Sequence, residues 1–367
     1  TRRSSDLPIP NPQSPYAFIN YIIFNTKIIL IKKMENINNE KNEKYNIFGI
    51  KNKYILKKLF KNLHERKLLV IIQYNNYLKK LLNININNYK KVSEIYSSII
   101  LEITPIKNEY GKFIREEGHQ YFHIYFDDNK EEIKRNYLIH GNNVTKIKII
   151  IDYQIISFRA LFKECILIES IKFIKFYRTN IKDMGHMFNG CILLKQINFS
   201  NFKTNNVTNM NSMFQGCLSL EELNLSNFNT DNLVNASNMF YLCQSLKSLN
   251  LSNINTSNIT DMAFMFADCC CLKELDLSNF NTDKVTNMSA MFYSCGILEK
   301  LDISNFNPDK IFNTNMNFKL SSCGSLKELV LPNFKNTLET KIKNILFGSS
   351  NKLKINIIQK QEKNKID

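Results

Sequence analysis

Val207-Thr208-Asn209-Met210-Asn211-Ser212-Met213-Phe214-Gln215-Gly216-Cys217-Leu218-Ser219-Leu220-Glu221-Glu222-Leu223-Asn224-Leu225-Ser226-Asn227-Phe228 is the stretch that decides the fold. Val207, Met210, Met213, Phe214 and Cys217 fall at steps of three and four, which predicts a short helix with one buried face. Thr208 is placed to cap its start, with Thr260 and Thr286 at the matching positions further on. Gly216 suits its end, where a left-handed backbone is needed. From Leu220 the period becomes two. Leu223 and Leu225 are then expected inside, and Glu222, Asn224 and Ser226 outside. The polar run Asn227 to Asn232 turns the chain back to start again.

The phrase recurs. Phe188, Phe214, Phe240, Phe266 and Phe292 are each 26 residues apart, and Cys191, Cys217, Cys243, Cys269 and Cys295 keep the same step. Ile197, Leu223, Leu249, Leu275 and Leu301 do so too. A fixed period of this size marks a solenoid, in which each unit buries its apolar face only against its neighbours. The Phe and Cys columns are the expected structural core. After Phe306 the spacing slips by two: Met316, Leu320 and Cys323 stand 28 residues beyond Met288, Phe292 and Cys295. An insertion around Pro308–Thr314 accounts for that, and about seven coils are expected over 158–335.

Composition narrows the function. The chain has 367 residues, 44% of them hydrophobic, and a formal charge of +16. Between Cys165 and Phe334, however, 13 Lys/Arg face 14 Asp/Glu, so the basic excess lies outside the repeats. It lacks the Gly and aromatic punctuation of a nucleic-acid motif, and a solvated basic face is expected. All nine cysteines lie in the repeat region, six of them at one repeated position. That is packing arithmetic, so reduced thiols acting as small hydrophobes are expected. Cys269-Cys270-Cys271 does not reproduce the spacing of a zinc site. No metal and no cofactor are expected. The sequence has no phosphate loop, nucleophile elbow or His-Glu-x-x-His motif, and the reading is non-enzymatic.

Outside the repeats, residues 1–33 read as foreign to the natural protein. Thr1 to Leu7 looks like a translated adapter, and Ala17 to Ile31 like an A/T-rich leader too short and polar for a membrane span. Met34 is the expected start, without an export signal. Residues 34–96 are a basic helical segment in which Ile55, Leu56, Leu59, Phe60 and Leu63 form one stripe. From 97 to 157 the alternation of Tyr121, His123 and Tyr125 with Phe122, Ile124 and Phe126 predicts strands. Tyr137-Leu138-Ile139 is expected as the return strand of a hairpin, and Lys146 to Ile151 as another. This β-rich module is expected to cap the N-terminal end of the solenoid. Residues 336–358, with a strand near Leu353, form the C-terminal cap, and 359–367 a disordered tail.

Leu220-x-x-Leu223-x-Leu225 is the strand pattern of leucine-rich repeats. With Val207 to Phe214 before it and Ser226 to Thr230 after it, the unit resembles the BspA-type leucine-rich-repeat family. More narrowly, it is similar to the 26-residue "surface protein" branch found in bacteria and many protists. The resemblance covers about 158–335. It implies an α/β solenoid, each coil a short strand plus a short helix. Phe202, Phe228, Phe280 and Phe306 stand where the usual asparagine ladder would be, so a stacked aromatic row is expected there. Asn227 or Asn229 would then serve the turn. Residues 47–90, including Leu68, Leu69 and Leu78, also faintly resemble an F-box, which implies a ubiquitin-ligase adaptor as partner.

The outward strand positions form the expected binding ladder on a concave face: Glu222, Asn224, Ser226, Ser248, Asn250, Glu274, Asp276, Lys300 and Asp302. The expected function is protein–protein interaction through this face, by an intracellular, cytoplasmic scaffold. The alternatives are a cell-surface recognition protein, as the resemblance implies, and a substrate receptor of a ubiquitin ligase. Asn198-Phe199-Ser200, Asn224-Leu225-Ser226 and Asn250-Leu251-Ser252 are glycosylation sequons on the strand face, and sugars there would cover it.

Overall fold

The computed structural model describes residues 80, 97–115, 122–153, 155–311, 320, 323–332, 345–346 and 353–358. The chain divides into two units, Thr1–Asn85 and Ile86–Asp367, and the strands and coils with described bounds all belong to the second. The adapter-like start, the F-box resemblance at 47–90 (Lys80 apart) and the tail at 359–367 lie outside the described residues.

Strands β1 (Ile99–Pro105), β3 (His123–Phe126) and β5 (Ile147–Ile151) pair antiparallel, in the order β3-β5-β1. Their pleat sends Ile99, Leu101 and Ile103 of β1 and Ile147, Ile149 and Ile151 of β5 into one core. β3 runs beside β5 and does not return through the Tyr137 strand. That strand, β4 (Tyr137–Leu138), instead pairs with β2 (Gly111–Lys112). Ile133 fills the place beside Ile124 that a hairpin partner would have taken.

β6 (Ile168–Lys175) belongs to two architectures. On one side it runs antiparallel to β1, with Leu101 opposite Phe173 and Ile103 opposite Ile171. On the other it begins the parallel stack, pairing with β7 (Gln196–Asn198). Two further parallel sheets follow along the stack, the pair β8 (Glu222–Asn224) and β9 (Ser248–Asn250), and the four strands β10 (Glu274–Asp276), β11 (Lys300–Asp302), β12 (Glu328–Pro332) and β13 (Lys354–Ile358). Pairing is in register: Leu223 opposes Leu249, and Leu275 opposes Leu301.

The structure corrects the expected helix. The chain is a β-solenoid, and Val207 to Cys217 is a series of tandem turns. The N–H groups of Met210, Ser212, Phe214 and Gly216 donate sideways, to the carbonyls of Asn235, Ser237, Met239 and Tyr241 in the next coil (2.8–2.9 Å). Those of Met213, Gln215 and Cys217 donate three residues back, to Met210, Ser212 and Phe214. Turns closing every three residues give the same three-and-four spacing of buried side chains as a helix, which is why the pattern misleads. A helix this short would also leave several N–H and C=O groups at each end without partners. Sideways bonding satisfies them against the neighbouring coil. Thr208 therefore caps nothing; its N–H and hydroxyl both donate to the Lys182 carbonyl. The one helix with described bounds is α1 (Pro308–Ile311), inside the expected insertion.

A second parallel ladder of single bridges links Ser157, Asp183, Asn209, Asn235, Asp261 and Asn287. It marks about six turns rather than seven. Of the next unit, Leu320 and Cys323 are buried, and Met316 lies outside the described residues.

Inside, the columns are continuous. Phe162, Phe188, Phe214, Phe240, Phe266 and Phe292 stack face to face, with centroids 5.5–5.8 Å apart and planes within 12°. Phe202 stacks on Phe228 and Phe280 on Phe306, with the buried Ile254 in the intervening coil. Cys191, Cys217, Cys243, Cys269, Cys295 and Cys323 are buried, and each thiol donates to the carbonyl of a phenylalanine in the preceding coil (3.0–3.3 Å).

Candidate functional site

The strand face over β6–β9 forms an open groove of about 860 Å³. Its lining includes five of the expected ladder residues: Glu222, Asn224, Ser226, Ser248 and Asn250. Lys172, Gln196 and Asn198 extend it toward β6. Glu274, Asp276, Lys300 and Asp302 continue the ladder on β10 and β11, outside the lining.

Local bonding divides these residues into two kinds. The side-chain oxygens of Asn198, Asn224, Asn250, Asp276 and Asp302 each accept the N–H two residues on, from Ser200, Ser226, Ser252, Ser278 and Ser304 (2.9–3.1 Å). These turns end the strands, because an Asx side chain replaces the next rung of the ladder. Four of the nine expected binding residues therefore have a structural duty. The Asn-x-Ser sequon is the sequence form of the same turn. Glu222, Ser248 and Glu274 make no side-chain hydrogen bond or ion pair among the described residues, and Lys300 reaches only Glu328, at 4.0 Å. They are the side chains left to meet a partner.

The electrostatics are mild. Asp276 is held below the usual carboxylate range by the Ser278 hydroxyl, then by the Ser278 N–H and by Lys300. Along one margin of the strands runs a column of charge. Glu169 pairs with Lys195 (2.9 Å), Glu221 with Lys247 (2.7 Å) and Glu299 with Lys327 (2.8 Å). Exposed pairs like these contribute little stability each, and as neutral pairs they give this margin no net sign of charge. Reading the residue before each outward strand position at the 26-residue step would have found them.

The turn corner holds two further ladders. Asn201, Asn227, Asn253, Asn279 and Asn305 each donate through Nδ2 to a carbonyl of the preceding coil, and the Oδ1 of Asn229 accepts the Asp231 N–H (3.2 Å), so both Asn227 and Asn229 serve this turn. Thr204, Thr230 and Thr256 are buried hydroxyls. Each donates to the carbonyl, and accepts from the N–H, of Asn229, Asn255 or Asn281 in the next coil (2.7–2.9 Å). Of these ladder residues, Asn227 alone lines the groove.

Other chemistry-bearing residues are dispersed. His123 bridges Glu132 (3.0 Å) and Asp152 (3.3 Å) on the antiparallel sheet. His186 sits at a turn with Nε2 beside Asn211 Nδ2, and burial, then Arg159 and Lys163, pull its pKa down. Cys269 is buried, while Cys270 and Cys271 are part-exposed. Among the described residues no group of three or more His, Cys, Asp or Glu could hold a metal ion, and no helix is long and apolar enough to cross a membrane.

Neither the curated proteins nor the solved structures include a match to this chain. The family described as "Mycoplasma protein of unknown function, DUF285" matches residues 156–268 and again 242–357, together more than half of the chain. The two matches overlap over one coil, as expected where every 26 residues repeat the same unit. The chain belongs to this family, and its repeats are the part that makes it a member.

Proposed function

We propose that the protein is a non-enzymatic solenoid scaffold that holds a protein partner on its strand face. One observation supports this above the others: the groove over β6–β9 has a floor of polar side chains fixed by the fold, with Glu222 and Ser248 free among them. The likeness of the repeat to BspA-type leucine-rich repeats supports a recognition role on the same face. The reading is of an intracellular protein, because the sequon residues Asn198, Asn224 and Asn250 line the groove. Sugars on those residues would fill the surface assigned to the partner.

The test uses the chain begun at Met34, tagged at its C-terminus and followed in a protist cell by proximity labelling. The pair Glu222→Lys and Ser248→Arg should remove the labelled partner while leaving the thermal midpoint within a few degrees, since surface changes away from such bonds shift stability by about 0.5 kcal/mol or less. Labelling that is unchanged in the pair sinks the groove as the contact surface. A glycosidase-sensitive, surface-exposed product sinks the intracellular assignment and favours cell-surface recognition.

A further inference from the structure

The tandem turns carry a second surface, independent of the strand face. Its key is one column at the 26-residue step: Ala160, His186, Ser212, Asn238, Phe264 and Ala290. All six have left-handed backbones, with φ between 52° and 56°. The fold imposes that conformation, because the turn needs it in every coil. Small residues, asparagine and glycine tolerate it best, and a bulky side chain there is an outlier. Phe264 is nonetheless a phenylalanine, and 38% of it is exposed. Folding explains its backbone but not the choice of a bulky, part-exposed ring, and a strained residue of this kind points to function.

Phe264 has aromatic company. Tyr241 lies against it with centroids 6.1 Å apart, and Tyr293 in the next coil is 49% exposed. Aromatic side chains on a surface are the usual anchors of an interface, and the lining of the strand-face groove has no exposed one among the described residues. The charge around them has one sign. From Asn235 to Leu246, Thr260 to Leu272 and Thr286 to Leu298 there is no Lys or Arg, while Asp261 and Asp268 are present. Asp261 accepts the Ala263 N–H, and the Asp268 carboxylate has no hydrogen bond or ion pair among the described residues. The first two coils differ, with Arg159, Lys163 and Lys182 at their turns.

We propose that Tyr241, Phe264, Tyr293 and Asp268 form a docking surface for an arginine-bearing segment of a protein partner. Arginine suits both features at once. Its planar guanidinium stacks on aromatic faces and pairs with carboxylate, whereas a lysine ammonium offers a compact, strongly hydrated charge.

The test measures fluorescence anisotropy of the full chain with a labelled pentapeptide of alternating leucine and arginine, and with its lysine twin, at physiological salt. At physiological salt, exposed charges more than about 8 Å away are largely screened, so binding has to be local. The arginine peptide should bind at least about threefold more tightly than the lysine twin. Phe264→Asn and Tyr293→Ser should each weaken it about tenfold, the scale of an interface anchor. Asp268→Asn should weaken it about threefold. Phe264→Asn should leave the thermal midpoint equal or higher, because asparagine tolerates this backbone. Equal binding of both peptides, absence of binding or indifference to the variants overturns the proposal. So does a lowered midpoint for Phe264→Asn, which would make the ring a packing residue. Self-association that Phe264→Asn abolishes would make a second copy the occupant and overturn the partner class.

Discussion

At the scale of the residue, the thiol column ties this fold to pH. Burial pushes Cys165 and Cys243 up to about 12 and raises Cys191, Cys217 and Cys269 well above the ordinary thiol value of 9.0. In the unfolded chain these thiols lose their protons near pH 9, while the folded chain keeps them. The unfolded state therefore binds fewer protons between pH 9 and 12, and stability falls as pH rises through that window. For Cys165 and Cys243, the rise from 9.0 to about 12 withdraws on the order of 4 kcal/mol each across that window. Below pH 9 the contribution is intact. The midpoint in urea should be flat from pH 7 to 8.5 and fall steeply above 9, and Cys243→Ala should shallow that fall while lowering stability at pH 7. In the native state at pH 8, iodoacetamide should label Cys270 and Cys271 and spare the seven buried cysteines. Uniform labelling of all nine would contradict the packing of the column.

At the scale of the element, the tandem turn is the unit that the sequence pattern misnames. Apolar spacing reports which side chains are buried, and a turn closing every three residues buries the same set as a helix. The strand half of each coil is legible because a period of two has no competitor of similar pitch. The Phe, Cys and Leu columns are legible for a simpler reason: identity repeats at a fixed step. The Thr204, Thr230 and Thr256 ladder repeats equally well, but threonine in a polar run reads as loop, and nothing local says that its hydroxyl is buried. The turn makes its own prediction. Gly216 has φ 70°, and a Cβ there would meet only Gly190 backbone atoms at 3.7 Å, so alanine is limited by backbone strain and not by space. Gly216→Ala should cost about 1–2 kcal/mol. Ser294 occupies the same turn position two cycles past Leu242, with φ 61°, and Ser294→Gly should gain roughly 0.5–1 kcal/mol. Chemical denaturation of both variants checks the opposite signs. If both lose stability, the strained position is set by side-chain contacts instead.

At the scale of the whole molecule, the antiparallel sheet and the solenoid are one structure because β6 is shared, and Arg178 locks that junction. Its side chain is 0% exposed. Nε donates to the Ser97 carbonyl (2.6 Å), Nη1 to that of Tyr153 (2.7 Å) and Nη2 to that of Ile151 (3.0 Å). Burial pulls its pKa down and Asp152 opposes this; the guanidinium stays charged. A lone arginine after a strand carries no sign of this role in sequence, since its three partners lie 25 to 81 residues away. Arg178→Met removes the charge and three hydrogen bonds to carbonyls, at about 1 kcal/mol each, so a loss of roughly 3 kcal/mol is expected. Arg178→Lys keeps the charge but not the fork, and should fall between. Repeats couple mainly to their nearest neighbours, so the damage should be local. Hydrogen exchange should show β1, β5 and β6 losing protection first, while the coils from Ala236 to Cys295 keep theirs. Equal loss of protection along the whole chain would mean that sheet and coils unfold as a single cooperative unit, with Arg178 contributing to all of it and guarding no particular end.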